Sequence, residues 1–271
     1  MNEIIITPKK SWKVVFGELW DYREVFFFLG WRDILVQYKQ TVIGVLWVVV
    51  RPLLTVAVFT VIFSKIAGIS SGNTPYSLVI FSAMLAWQFF ADMLTHASMS
   101  FLANEQLVSK VYFPRIMLPS SRLLCAGVDF SISFLCYLLI AIFRYQYFPS
   151  LTIFFLPLFG IWLAVLSLSV SLLFASLIVR YRDFRHILPF VAQLGIYCTP
   201  VAFNFCMVPQ QLRIFLALNP LSGIINGFRF CLLNEPLYGE YAVVSLAMTV
   251  GISIVSILYF KKAEEQFADI I

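Results

Sequence analysis

The sequence predicts an all-α membrane protein with six transmembrane helices, an N-terminal amphipathic interface helix and a re-entrant outer-leaflet hairpin between helices 5 and 6. Composition is the first reason: 61% of the 271 residues are hydrophobic and 12% charged, about half the charged share of soluble domains. Apolar stretches long enough to cross ~30 Å of hydrocarbon recur along the whole chain, leaving almost nothing for a soluble domain. Lysine and arginine, finally, gather on alternate loops, the asymmetry that orients a polytopic protein.

Residues 1–41 read as a cytosolic and interfacial region, and 42–271 as the transmembrane domain. The start, MNEIIITPKKSWK, carries charges and a proline where a secretory apolar core would lie, so no cleaved signal is expected. Trp12, Val15, Phe16 and Leu19 fall at i, i+3, i+4 and i+7, and Trp31, Ile34, Leu35 and Tyr38 repeat that spacing. Arg32, Asp33, Gln37, Lys39 and Gln40 take the rest of the second circumference. Such helices lie in the membrane surface, although an ordinary anchor ahead of a span fits the same residues.

Hydropathy places the spans at 42–64, 76–98, 116–143, 151–179, 187–203 and 241–260, the fifth only just long enough. One side of the membrane receives Lys9, Lys10, Lys13, Arg23, Arg32, Lys39, Lys110, Arg115, Arg122, Arg180, Arg182, Arg185, Lys261 and Lys262; the other receives Lys65, Arg144, Arg213 and Arg229. Both termini are therefore expected in the cytosol. Basic loops beside anionic lipid account for the net charge of +5 without a nucleic-acid partner.

Arg51, Asp92, His96 and Asp129 fall inside predicted spans, where ionisable groups must face protein or a water-filled path. Two readings of Arg51 stand: pairing with an acid inside the bundle, or facing a channel where it meets an anionic substrate group. Pro52 is expected to kink or unwind the first span beside it. Between the fifth and sixth spans, residues 208–218 and 221–233 are two apolar pieces broken at Asn219-Pro220, neither long enough to cross. A hairpin with its bend buried in protein fits them.

The sequence carries none of the common catalytic motifs. No G-x-x-x-x-G-K-[ST] is present, so the chain has no phosphate-cradling loop of that type. The five cysteines, Cys125, Cys136, Cys198, Cys206 and Cys231, contain no C-x-x-C pair, so neither a metal nor a disulfide framework is expected; Cys206 and Cys231 alone are placed to meet in the outer hairpin. His96 and His186 lie far apart, with no H-E-x-x-H or G-x-S-x-G motif. What remains is a membrane unit with no energy source of its own. Six helices are few for a wide pore, which favours a homodimer, with the basic cytosolic loops as docking surfaces for a soluble motor.

Four stretches, RDILVQYKQTVIGVLWVVVRPLL, LVSKVYFPRIMLP, VRYRDFRHILPFVAQLGIYCTPVAF and LNPLSGIINGFRFCLL, together resemble the permease subunit of ABC-2 type polysaccharide exporters, the group serving O-antigen, some capsules and teichoic acids. Arg51 departs from the glutamine expected there in many relatives. The resemblance implies two permease copies forming a channel in the bacterial inner membrane and two copies of an ATP-binding cassette subunit, which binds the ATP and Mg, docked on the cytosolic side. Together they move an undecaprenyl-diphosphate-linked polysaccharide outward. It also implies that Asn104, Glu105, Lys110, Tyr112 and Arg115 lie on the ATPase coupling helix and its flank, and that Asn219, Pro220 and Arg229 belong to the outer gate. A drug or small-lipid exporter is the nearest alternative within the wider group.

A passing glycan needs many weak contacts, and aromatic faces supply them. Depth alone selects Trp87, Phe89, Phe90, Tyr137 and Tyr197, with Arg51, as path candidates. Arg32 and Lys39 are candidates for the lipid diphosphate at the inner boundary, and equally for ordinary snorkelling to membrane phosphates.

Overall fold

The computed structural model describes residues 20–39, 44–66, 68, 74–204 and 207–264. The described residues form helices and connecting turns without a strand. In chain order the helices are α1 (Arg23–Lys39), α2 (Gly44–Phe59), α3 (Tyr76–Asp92), the short α4 (Ser100–Ala103) and α5 (Glu105–Lys110), α6 (Met117–Leu139), α7 (Leu156–Arg180), α8 (Phe184–Cys198), α9 (Arg213–Leu218), α10 (Pro220–Leu233) and α11 (Gly239–Glu264). Three of them run on into π turns, α2 through Thr60–Ile66, α3 through Met93–Ala97 and α6 through Ile140–Arg144.

Five helical stretches are long and apolar enough to cross a membrane: Leu46–Ser64, Tyr76–Ala97, Met117–Arg144, Leu151–Arg180 and Gly239–Glu264. They coincide with five of the six predicted spans. The predicted fifth span, 187–203, is not a full-length helix, because α8 ends at Cys198 after 15 residues. Its stop is chemical: Pro200 drives Thr199 into extended backbone, with φ −113° and ψ 143°. Pro52, by contrast, does not unwind α2, which stays helical on both sides of it, with the Thr55 hydroxyl donating to the Arg51 carbonyl at 2.8 Å.

The most enclosed helices are α3, α7 and α10, and α11 packs against α7 and α10. These helices meet through small and hydroxylated residues, which let backbones approach closely inside a membrane and then hydrogen-bond across the gap. Ser169 and Ser253 hydroxyls lie 2.8 Å apart between α7 and α11, and Trp162 Nε1 donates to Thr249 Oγ1 at 2.8 Å. On α10, Gly223 faces Ser245 and Gly227 faces Phe159 so tightly that an added Cβ would lie 2.6 and 2.1 Å from them. Helix α10 is buried over nearly its whole length.

One end of the bundle is sealed by an apolar cluster in which Leu29, Phe101, Phe113, Met117, Leu172 and Phe260 meet. Polar loop contacts hold the opposite end: Ser77 to Tyr145, Thr152 to Asn234 and Asn204 to Glu235, at 2.8, 2.9 and 3.0 Å. Burial, with the nearby Glu235 carboxylate, pushes the Tyr147 phenol above its ordinary range in this region.

Candidate functional site

Helix α6 carries Arg122, Cys125 and Asp129 at i, i+3 and i+7, which puts all three on one face. That face meets α1. Gly30 allows the approach: a Cβ there would stand 2.5 Å from Leu124 Cδ1 and 3.1 Å from the Ser121 carbonyl oxygen. Two turns further along α1, Gln37 reaches three partners at once. Its Oε1 accepts from Arg122 Nη2 at 3.0 Å and from the Cys125 thiol at 3.1 Å, while its Nε2 donates to Asp129 Oδ2 at 3.0 Å. The Tyr38 hydroxyl donates to Asp129 Oδ1. Burial, and then the hydrogen bond to the carboxylate, push the Tyr38 phenol well above its usual range, so it remains a donor at physiological pH.

Asp92, in the last turn of α3, completes the cluster. Its carboxylate takes a fork from Arg122, Nε to Oδ2 at 3.1 Å and Nη2 to Oδ1 at 2.9 Å, the two-pronged geometry that makes arginine–carboxylate pairs strong. His96 Nε2 lies 3.5 Å from the same carboxylate, one turn on, within the π segment Met93–Ala97. The acid's partner is thus Arg122. The charge distribution in the sequence assigns Arg122 to a cytosolic loop and offers Arg51 for pairing; α6 begins at Met117, which carries Arg122 into the helix, while Arg51 is exposed and within electrostatic reach of His96.

Helix α1 is apolar on two sides, one packed on the protein and one facing away from it. Of the predicted stripe, Trp31 and Leu35 are exposed. The packed face is Tyr22, Val25, Phe26, Leu29 and Gly30, ending in Gln37 and Tyr38. The outward face remains largely apolar, and Phe28, Trp31, Leu35 and Val36, with Arg32 and Lys39, line a groove of about 310 Å³. Arg32 also pairs with Asp33 at 2.8 Å. The upstream helix expected around Trp12 to Leu19 lies outside the described residues, as does Cys206.

The aromatic path candidates separate by burial. Trp87, Phe90 and Tyr137 lie in the core, Trp87 against Gly195 of α8. Phe89 is half-buried edge-on to Phe130, and Tyr197 is exposed. At the sealed end, Glu105, Lys110 and Tyr112 are exposed on and beside α5, Asn104 bonds back to the Ser100 carbonyl at 2.9 Å, and Arg115 Nη1 reaches the Glu264 carbonyl at the end of α11, also at 2.9 Å.

At the opposite end, Asn219 caps α10 by accepting from the Leu221 amide at 3.1 Å, and Pro220 follows at the first helical position, where its missing N–H is harmless. The pair Gln210–Ala217 and Pro220–Leu233 is bent by 105° at this point. The Ser245 hydroxyl of α11 caps the Ala217 carbonyl on the near side of the bend at 2.9 Å. Arg229 is 1% exposed and donates to the carbonyls of Val201 and Phe203, each at 2.9 Å, while the Tyr76 hydroxyl takes the Ala202 carbonyl between them. The irregular backbone that follows α8 is satisfied by these side chains, as backbone at membrane depth must be.

Gln37, Arg122 and Ser245 are absent from the sequence-derived site. The signal that finds the first two is the i, i+3, i+7 run of Arg122, Cys125 and Asp129 on α6, facing a glycine-containing helix that carries Gln37 and Tyr38 in its last turn.

These features define a multi-pass, α-helical membrane protein whose charged groups are gathered between an N-terminal helix and the bundle. The chain belongs to the ABC-2 type transporter family, which it matches over residues 24–233. Two relatives from Klebsiella pneumoniae, each called O-antigen export system permease protein RfbA, are 29% and 30% identical to it over 244 residues, covering 89% of this chain and 92% of theirs. A Myxococcus xanthus protein of the same name is 24% identical over 260 residues, covering 93% of this chain and 97% of its own. Family membership implies an ATP-binding cassette partner.

Proposed function

We propose that the chain is the channel-forming membrane subunit of an exporter carrying an O-antigen-like, undecaprenyl-diphosphate-linked polysaccharide across the bacterial inner membrane. The observation that carries this reading is the near full-length similarity to three proteins named as O-antigen export permeases. In it two copies form the path, both termini lie in the cytosol, and two copies of a separate subunit bind and hydrolyse ATP. Helix α1 lies at the inner boundary with Arg32 and Lys39 toward the lipid head group. The bent α9–α10 pair is the re-entrant outer gate, with Asn219, Pro220 and Arg229 at its bend and base.

The polar cluster supports a path between copies. Arg51 and His96 are exposed at the surface of this chain, and Asp92 and Asp129 are half-buried beside them. Charged groups at this depth are costly against lipid tails and belong against protein or water. Tyr197 joins Arg51 as an exposed path residue, while Trp87, Phe89, Phe90 and Tyr137 shape the path from behind.

Exposed Lys110 and Tyr112, with Glu105, Asn104 and Arg115, form the coupling surface for the ATPase in this account. The combined K110E and Y112A substitutions are expected to weaken recovery of the ATP-binding subunit about tenfold, the ~1.4 kcal/mol of a single interface anchor. Affinity purification from solubilised membranes measures it. Undiminished recovery, with the same amount of chain in the membrane, contradicts the assignment.

A further inference from the structure

Asp129 is a carboxylate in the middle of α6, and among the described residues every hydrogen bond it receives comes from α1. Both donors, the Gln37 amide and the Tyr38 hydroxyl, are neutral. The guanidinium that hydrogen-bonds within the cluster, Arg122, gives its fork to Asp92. The stabilisation of Asp129 therefore depends on where α1 sits, while the Asp92–Arg122 pair bridges α3 and α6 whether α1 is docked or not. A polar contact of this kind is a poor permanent clamp, since apolar side chains of the same size hold helices together at least as well, and it suits an element with two positions.

Two further observations point the same way. Helix α1 is apolar on both sides: Leu29 is buried toward the protein, while Phe28 and Trp31 are 68% and 62% exposed on the far side. Leaving α6 would not strand it in water, because the second face stays with the membrane interface. Beside the contact, α3 loses its regular turn in the π segment Met93–Ala97, an irregularity frequent at functional sites.

We propose that the contact between α1 and α6 is a latch that opens and recloses in each transport cycle, with Gln37 and Tyr38 as its hooks and Asp129 as its catch. Opening gives up three hydrogen bonds, from Arg122, the Cys125 thiol and Gln37, in one step because all pass through the Gln37 amide. Tyr38 leaves Asp129 with them. Asp129, Gln37 and Tyr38 are positioning residues: they set where α1 stands and through it whether the cluster around Arg51 and His96 is open. The proposal rests on the reading of the chain as an exporter subunit.

A reversible cross-link tests it. The ideal Cβ of Gly30 is 3.1 Å from the Leu124 Cβ, and replacing Leu124 also removes the Cδ1 that a side chain at position 30 would meet; the separation suits a disulfide after a small adjustment. The pair G30C and L124C is introduced with Cys125→Ser and the other native cysteines changed to alanine, and the chain is kept in its complete transporter. Oxidation is expected to abolish polymer export and transport-linked ATP hydrolysis, and dithiothreitol to restore both. Export by the fully cross-linked chain at the rate of its reduced form overturns the latch.

If the reduced double-cysteine chain is itself inactive, D129N decides. Its amide keeps the shape and weakens the catch, so ATP hydrolysis is expected to rise in the absence of polymer; unchanged basal hydrolysis with normal export overturns the proposal. Should the unaltered chain export no polymer, the cargo reading falls alone, and the response of ATP hydrolysis to oxidation still decides the latch.

Discussion

Replacing Arg122 with methionine is expected to cost about 3–5 kcal/mol, the effect of breaking a largely buried ion pair and leaving one charge behind. The side chains of Arg122 and Asp92 are 11% and 20% exposed, so water can take over only part of the solvation of the remaining carboxylate. The loss spreads beyond the pair. Arg122 also donates to Gln37, whose amide orientation is set by that bond, so the donation from Gln37 to Asp129 loosens with it. Combining R122M with Asp92→Leu removes both charges and is expected to recover most of the stability. Thermal unfolding of the detergent-solubilised chain, followed by monodisperse protein remaining after heating, measures the four corners of this cycle. An R122M chain as stable as the parent contradicts a buried pair.

The second large effect is expected at Arg229. Methionine there leaves the Val201 and Phe203 carbonyls without their donor at about 1–3 kcal/mol each, in a segment that has no helical bonds of its own to fall back on. R229K retains the charge but lacks the planar fork that spans two carbonyls, so it is expected to fall between the parent and R229M. Limited proteolysis of inverted and right-side-out vesicles reads the result as new cleavage within residues 199–204. Y76F, which removes only the donor to Ala202, is expected to do less. Equal protease resistance of R229M and the parent contradicts the role of Arg229 in holding this segment.

Much of the architecture was legible because a bilayer constrains length and polarity together. Five helices long and apolar enough to cross fall where hydropathy puts them, within a few residues, and the Asn219-Pro220 break is a cap followed by a first-turn proline. The shortened α8 was legible too, in Thr199-Pro200, but an average over a long window passes across a proline near the end of an apolar run. Pro52 shows the converse: a proline in an apolar helix that the surrounding sequence keeps helical.

The charged cluster was only half legible. Asp92, His96 and Asp129 stand out as ions in apolar runs, whereas Arg122 lies within two turns of the α6 start and reads as a boundary cation. Its role depends on Asp92, which is 30 residues away and brought near only by the packing of α3 on α6. The packed face of helix α1 was not legible for a different reason. With apolar residues on both faces, periodicity cannot say which face is packed; Gly30 and Gln37 decide it, and neither is apolar enough to count toward a stripe. The burial of the aromatic candidates was not legible, since depth says how far along a helix a ring sits and nothing about which way it points.

Depleting this chain in its native host and locating the lipid-linked polymer shows whether the chain exports it. Full-length polymer accumulating on the cytosolic side of the inner membrane is the predicted result, with loss of the same polymer from the cell surface. Normal surface polymer, or loss of synthesis with no trapped intermediate, contradicts the account.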